Sequence, residues 1–237
     1  MGEAVIIVAG SSGNLGGRIV KFLSERKVRV RALVRQGAPE EKIKRLKTLG
    51  IEVIPVDFDN HQELTKACRD GTCVVSALSG LREVIVDAQS KLLEGAVKAG
   101  VPRFIPSDYS IDFLKVPPGS NRNLDLRREF HQRLNASPLS ATSIFNGAFT
   151  DMLTGKAPFI LFKLRRVLCW QSPDQKMDFT TIQDTANYTS LAALDPATPR
   201  YLRIAGDQIS ARDLSAIVTE ITGQEFRPFC PGNLAAL

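Results

Sequence analysis

The chain has 237 residues, a size typical of one large domain or of one domain with a small addition. Its hydrophobic content of 43% and charged content of 24% are those of globular proteins, which excludes a disordered or fibrous chain. The net charge of +6 favours an anionic partner but does not by itself predict nucleic-acid binding.

The apolar runs and the cysteine positions indicate in which cellular compartment the protein is located. The longest apolar run, at residues 4–9, is far shorter than the roughly 20 residues of a membrane helix. The N-terminus lacks the basic segment of a signal peptide. Cysteines at positions 68, 73, 169 and 230 show no metal-ligand or paired spacing, which predicts reduced thiols and neither structural zinc nor a disulfide framework. We therefore predict a cytoplasmic protein without a membrane partner.

The first part of the chain alternates short apolar runs with segments of helical periodicity, which is typical of βαβ units on a parallel sheet. Strands are predicted at 4–8, 28–34, 51–56, 73–78 and 103–106, with helices between them. A long loop over 107–122, an arginine-rich helix over 124–134 and a sixth strand over 140–145 follow. This order predicts an α/β fold: a doubly wound Rossmann domain over residues 1–150 and a small α/β substrate-binding region over 151–237.

A glycine-rich segment joins the first strand to the first helix. It comprises Gly10, Ser11, Ser12, Gly13, Asn14, Leu15 and Gly16. The first glycine permits a tight turn, the second lets a pyrophosphate approach the backbone, and the third lets helix and strand pack closely. A plain turn is the alternative, but the strand before and the helix after favour dinucleotide binding through all seven residues. No Walker lysine follows, which disfavours a nucleoside triphosphatase.

The end of the second strand indicates which dinucleotide binds. An NAD-binding protein usually carries Asp or Glu there, to accept a hydrogen bond from the ribose 2′-hydroxyl. This chain has Arg35 at that place, and a guanidinium suits the 2′-phosphate of NADPH. A solvated arginine is the alternative. We predict NADPH (NADP) as the cofactor.

These segments resemble the NmrA-like branch of atypical short-chain dehydrogenases/reductases, and its isoflavone-reductase-like members in particular. The similarity rests on the glycine loop, on Leu33-Val34-Arg35, on the Arg-Phe-Ile-Pro-Ser-Asp-Tyr stretch of residues 103–109, and on Ser-Ile-Phe-Asn-Gly at 143–147. It extends well over residues 3–150 and loosely over 150–225. Family members usually continue further, so the resemblance implies a shortened substrate region.

The resemblance also implies cofactor contacts at the ends of later strands. Asp57 and Phe58 would border the adenine, although loop capping explains Asp57 equally well. The residues expected along the ribose, the pyrophosphate and the nicotinamide are Ala77, Leu78, Ser79, Ser107, Phe145 and Asn146.

The candidate catalytic residues depart from known patterns. No tyrosine has a lysine four residues later, which excludes the Tyr-x-x-x-Lys mechanism. The resemblance implies a lysine on the helix after the fifth-strand loop, but Arg127 and Arg128 stand there, and arginine is a poor proton donor. Tyr109 could donate the proton, with packing as its alternative. His131 on the same helix is expected to be solvated, and the histidines form no metal-ligand cluster, so we predict no metal.

Two functions remain open. The first is an NADPH-dependent oxidoreductase that transfers hydride to a small carbonyl, enone or aromatic substrate. The second is a non-catalytic NADP(H)-sensing regulator of the NmrA type, which would have a protein partner. The reductase is favoured because Ser107–Tyr109 and Phe145–Asn146 resemble the reductases more closely. Its partner would be a small molecule, and no nucleic acid is expected.

Overall fold

The computed structural model describes residues 4–155 and 159–231. Six parallel strands form its main sheet in the order β3-β2-β1-β4-β5-β6. They are β1 (Val5–Ala9), β2 (Arg29–Arg35), β3 (Glu52–Val56), β4 (Cys73–Ser76), β5 (Arg103–Ile105) and β6 (Ser140–Ala141). Strand order reverses between β1 and β4, which is where doubly wound folds bind dinucleotides. The predicted Rossmann class is confirmed.

Helices cover this sheet because each presents one apolar face to it. Among the described residues the α-helices are α1 (Asn14–Glu25), α2 (Glu40–Thr48), α3 (His61–Cys68), α4 (Gln89–Lys98), α5 (Arg122–Asn135) and α6 (Ile182–Leu194), and also α7 (Ala211–Thr222), which packs elsewhere, against Ile160 and Val167. In α1 the buried residues are Ile19, Val20 and Leu23, together with Gly16. Between the fourth and fifth strands, where the sequence predicts a helix, a π-helical segment, Glu83–Ala88, directly precedes α4.

The main core lies between the central strands and the helices α3, α4 and α5. Ile7, Leu33, Val74 and Phe104 come from four adjacent strands and belong to one buried apolar cluster. All five residues of β1 are buried, as expected for a parallel strand covered on both faces. This rigid centre fixes the positions of the strand ends.

The chain divides into two units. The first comprises Met1–Phe145 and Gln183–Arg203, and the second comprises Asn146–Ile182 and Ile204–Leu237. The sequence predicts a single boundary near residue 150. In the structure the chain returns to the first unit after the second has begun, so that most of α6 and β12 (Tyr201–Arg203) belong to the first unit. There β12 pairs in parallel with β7 (Ser143–Phe145). The predicted sixth strand is therefore two short strands, β6 and β7, on either side of Thr142.

The second unit is built from two small sheets and α7. One sheet has the order β13-β11-β8 and the other β14-β10-β9. These strands are β8 (Ala148–Phe149), β9 (Ile160–Leu161), β10 (Arg166–Leu168), β11 (Met177–Thr180), β13 (Asp207–Ile209) and β14 (Arg227–Phe229). The α7 helix begins with a capping box between Ser210 and Asp213 and ends at Gly223, as its sequence signals.

A disulfide joins Cys169 to Cys230 within the second unit. The prediction of reduced thiols is wrong for this pair, and only Cys68 and Cys73 are free and buried. The bonded residues are 61 positions apart, but each directly follows one of two paired strands, β10 and β14. The cysteines therefore no longer favour a cytoplasmic location. Among the described residues, no helix has the length and apolarity needed to cross a membrane.

Candidate functional site

The glycine loop forms a close turn between β1 and α1. Gly10 has a φ of +76°, and a Cβ at this position would lie 2.4 Å from the Ala77 carbonyl oxygen. A Cβ at Gly16 would lie 2.2 Å from the Gly10 carbonyl oxygen. The N-cap residue of α1, Gly13, supplies no side-chain acceptor to the first helical turn. The helix therefore begins with N–H groups that an anion can reach, as a pyrophosphate site requires.

A cavity of about 380 Å³ opens beside this loop in the first unit, at the carboxyl ends of β1, β2 and β4. Eight of the predicted cofactor residues line it: Gly10, Ser12, Gly13, Arg35, Phe58, Ala77, Leu78 and Ser79. Val84 and Ala88 of the π-helical segment also line it. A π-helical turn of this kind often marks a functional site.

Two exposed cations lie at the edge of the cavity. Arg35 ends β2 and Lys42 belongs to α2, and both line the cavity. None of the residues lining it is acidic. Within the part of the chain that the structure describes, no carboxylate forms an ion pair with Arg35, so its guanidinium is free to bind an anion. This arrangement suits a phosphate group on the ribose.

Several predicted cofactor residues lie outside the cavity lining, and three of them make hydrogen bonds within the protein. The Ser11 hydroxyl donates to the Leu33 carbonyl oxygen at 3.1 Å, and the Asn14 side chain accepts from Arg18 at 3.0 Å. Leu15 belongs to the first turn of α1. The Asp57 carboxylate accepts from the backbone N–H of Asp59 at 2.9 Å and is absent from the cavity lining, as the loop-capping alternative predicted.

Ser107 connects the ends of two strands. Its hydroxyl donates to the Leu78 carbonyl oxygen at 2.6 Å, and its backbone N–H donates to the Gln89 side chain at 2.8 Å. Gln89, which the sequence reasoning missed, is fully buried and also donates to the Ile85 carbonyl oxygen at 2.9 Å. Gln89 stands four residues after Ile85 and three before Leu92, on the apolar face of its helix, and a polar residue at such a place was the available signal of a buried hydrogen bond. The Ser107 side chain therefore bonds to the backbone of the segment that directly follows β4.

The last two predicted cofactor residues lie on either side of the unit boundary. Phe145 is buried in the first unit and stacks on Tyr201, with ring centroids 6.0 Å apart. Asn146 begins the second unit, and its side-chain amide is buried with neither polar atom hydrogen-bonded. A cofactor contact of either residue stays a prediction.

Tyr109 is a buried residue of the first unit. Only 8% of it is exposed, and its hydroxyl lies beside Thr189 of α6. Burial raises the pKa of Tyr109 well above its usual range, and the Asp108 carboxylate raises it further, while Thr189 lowers it. This burial supports the packing alternative, and the role of proton donor stays a prediction.

Arg128 fastens the loop between β5 and α5. It donates to the Asp125 carboxylate at 2.6 Å and also to the carbonyl oxygens of Phe113 and Val116. The same loop contains the buried Phe113, over whose ring the guanidinium lies at 5.9 Å. Arg128 is therefore engaged by the protein itself, which argues against a catalytic role.

This anchoring makes Arg128→Lys a stability variant. A lysine cannot reproduce the forked contacts with a carboxylate and two carbonyl groups. We expect the free energy of unfolding to fall by about 1 kcal/mol, the scale of one net hydrogen bond, with unchanged NADPH affinity. Urea denaturation and fluorescence titration measure these two quantities. Increased turnover in this variant would instead identify position 128 as the counterpart of the family lysine.

Comparisons with known proteins bear out the resemblance. Residues 2–231 match the model of the NmrA-like family. The chain belongs to this family. Among its relatives, pinoresinol reductase 2 of Arabidopsis thaliana is 29% identical over 96% of this chain and 78% of its own length. The oxidoreductase swnN of Arthroderma benhamiae is 30% identical over 71% of this chain and 58% of its own length.

Solved structures of reductases have the same fold. One described as "AtPrR2 with NADP+ and (+)pinoresinol" gives a TM-score of 0.83 at 26% identity, covering 97% of this chain and 79% of that one. An isoflavone reductase structure gives a TM-score of 0.81 at 21% identity, covering 97% of this chain and 79% of that one. The second similarity shows the fold alone.

In this NmrA-like chain, Arg127 and His131 also belong to α5, but their burial and their partners differ from those of Arg128. Burial lowers the pKa of the Arg127 guanidinium, and the Asp108 carboxylate opposes that shift. His131 is only 4% exposed and lies 2.5 Å from Asp108, so the expectation of a solvated histidine is wrong. Ser143 lies 3.3 Å from the same Nε2 atom of His131. Because serine and aspartate share one ring nitrogen, the three residues do not form a hydrolase triad.

Proposed function

We propose that this NmrA-like chain is an NADPH-dependent oxidoreductase that transfers hydride to a small carbonyl, enone or aromatic substrate. The cavity beside the glycine loop, with Arg35 and Lys42 at its edge, carries the proposal. Kinship with pinoresinol reductases supports it. The related structure described with NADP+ supports the choice of cofactor.

The residues present fit NADPH. The N–H groups at the start of α1 would hold the pyrophosphate, since the glycines leave space there. Arg35 and Lys42 would hold the 2′-phosphate, and Phe58 would border the adenine. The bound cofactor supplies the hydride. The protein's own contribution is to bind these groups and to orient the substrate beside them.

Arg127 is the proposed catalytic residue of α5. Its Nε atom is buried without a hydrogen-bond partner, and its Nη1 atom donates to the Asn123 carbonyl oxygen at 2.9 Å. No carboxylate within the described ranges forms an ion pair with it. A guanidinium in this state can orient a ribose or a substrate oxygen, but it does not release a proton near neutral pH. We propose that Arg127 orients and that water supplies the proton.

Oxidation of NADPH tests the proposal. The protein should oxidise NADPH in the presence of at least one compound from a panel of enones, quinones and phenylpropanoids, including pinoresinol. Absorbance at the nicotinamide band measures the rate, and product analysis shows which bond was reduced. Tight NADPH binding without turnover on any panel member would favour the sensor, and a protein partner recovered with NADP(H) would then identify its role.

The proposed reductase needs only a small-molecule partner. We propose no nucleic-acid or membrane partner, because the basic residues at the cavity already match a phosphate-bearing cofactor. A cytoplasmic location stays a prediction, and imaging of the tagged chain tests it.

A further inference from the structure

Gln89 is a buried polar residue whose side chain joins two segments beside the cofactor cavity. It is the first residue of α4 and is fully buried. Its Nε2 atom donates to the Ile85 carbonyl oxygen at 2.9 Å, and its Oε1 atom accepts the backbone N–H of Ser107 at 2.8 Å. One partner is an acceptor and the other a donor, so together they fix the orientation of the amide.

The first of these bonds belongs to the π-helical turn before α4. In an α-helix the Ile85 carbonyl would accept the backbone N–H of Gln89, four residues later. Here that N–H donates to the carbonyl oxygen of Val84, five residues earlier, which is the π-helical pattern. The side-chain amide of Gln89 donates to the Ile85 carbonyl in place of the backbone. Gln89 therefore stabilises a turn of a rare kind.

The π-helical turn forms part of the wall of the cofactor cavity. Val84 and Ala88, which line the cavity, lie on either side of Ile85 in the chain. Ile85 itself is buried and belongs to a small apolar cluster with Leu126 of α5. A π-helical turn holds more residues than an α-helical one, so a change from π to α would rotate the side chains before the turn relative to those after it. The direction in which Val84 points therefore depends on this turn.

The second bond of Gln89 joins this wall to the segment after β5. The N–H of Ser107 donates to Gln89, while the Ser107 hydroxyl donates to the Leu78 carbonyl oxygen at 2.6 Å. Leu78 follows β4 and also lines the cavity. One chain of hydrogen bonds thus connects the π-helical turn, the segment after β5 and the segment after β4, with Gln89 at its centre.

We propose that Gln89 is a positioning residue for the cofactor, which holds the π-helical turn and the segment at Ser107 in the arrangement that NADPH needs. This inference rests on the proposed function. Gln89 does not line the cavity. It acts through Val84, Ala88 and Leu78, which do. Its loss should therefore weaken cofactor binding, although no group that lines the cavity is removed.

Gln89→Met tests the inference, because methionine has a similar length and volume but lacks the amide. Hydrogen exchange of the cofactor-free protein, followed by mass spectrometry, shows whether the two bonds hold their segments. The amides of residues 83–88 and of Ser107 should exchange about tenfold faster in the variant. Titration should give a dissociation constant for NADPH about tenfold higher, since two buried bonds are lost. The KM for NADPH should rise by about the same factor while kcat stays within about threefold.

Ser90→Ala is the matched control for a general disturbance of the helix. The Ser90 hydroxyl donates to the Val86 carbonyl oxygen at 2.6 Å, also four residues earlier, but this bond stays within the helix. Its loss should lower the melting temperature and leave both the exchange at Ser107 and the dissociation constant for NADPH within about twofold of the wild-type values. If Gln89→Met folds poorly, Gln89→Asn takes its place. Its amide is one methylene shorter and cannot reach both partners, so the same changes should appear to a smaller degree.

The outcomes distinguish this inference from the proposed function. Unchanged exchange at Ser107 and at residues 83–88 in Gln89→Met overturns the link between the segments. Faster exchange and a lower melting temperature with an unchanged dissociation constant for NADPH overturn the positioning role and leave Gln89 a purely structural residue. Weakened NADPH binding in the variant, when the wild-type protein turns over no panel compound, retains the positioning role and rejects the reductase function.

Discussion

Gly13→Val is expected to abolish the binding of both NADPH and NADH while the protein stays folded. Gly13 lines the cavity and precedes the first turn of α1, so a branched side chain would fill the space that a pyrophosphate needs. Its backbone, at φ −83° and ψ 174°, is open to any residue. We expect affinity to fall at least about a hundredfold, on the order of 3 kcal/mol.

Two neighbouring glycines provide the controls for this variant. A Cβ at Gly17 would lie 3.3 Å from the Ser11 carbonyl oxygen, much as one at Gly13 would lie 3.2 Å from that of Gly10. Gly17 does not line the cavity, so Gly17→Ala should keep cofactor binding. Gly16→Val should instead unfold the loop, since its Cβ has no room. Fluorescence titration and thermal unfolding measure the two properties, and retained binding in Gly13→Val would show that the pyrophosphate does not bind at this loop.

The sequence predicts most of the first unit because the signals are local. Gly10 and Gly16 stand between an apolar run and a helical stripe. The positive φ of Gly10 is a local requirement, and a Cβ at Gly16 would meet the backbone of Gly10, six residues before it. Arg35 is the last residue of β2, and a strand end in a parallel sheet has a known place relative to the others. Such features need no knowledge of distant contacts.

The features that the sequence did not predict depend on segments that are far apart along the chain. Asp108 meets His131 only because the loop after β5 folds against α5. Cys169 meets Cys230 only because β10 pairs with β14. A histidine on a polar helix looks solvated, and two cysteines 61 residues apart look unrelated, until the tertiary pairing is known. Burial and partnership are properties of the fold, so periodicity alone does not reveal them.

Arg35→Ala is expected to weaken NADPH binding by about 1.5–3 kcal/mol and to leave NADH binding nearly unchanged. The two cofactors differ only in the 2′-phosphate, and a charged hydrogen bond to that group is lost with the guanidinium. Arg35 is exposed, so solvent and salt screen its charge and the effect should lie at the lower end of this range. Lys42 keeps part of the positive field in the single variant, and adding Lys42→Ala should remove most of the remaining preference.

Lys44→Ala is the matched control, because this lysine lies on the same helix but does not line the cavity. It should lower the affinities for NADPH and NADH little and equally. Calorimetric titration of both cofactors at two salt concentrations measures the ratio of their dissociation constants, and the preference for NADPH should fall as salt rises. If Arg35→Ala lowers the affinities for both cofactors equally, the arginine contacts a group that both contain, such as the adenine or the pyrophosphate. The 2′-phosphate would then need another partner, and the preference for NADPH would no longer follow from the end of β2.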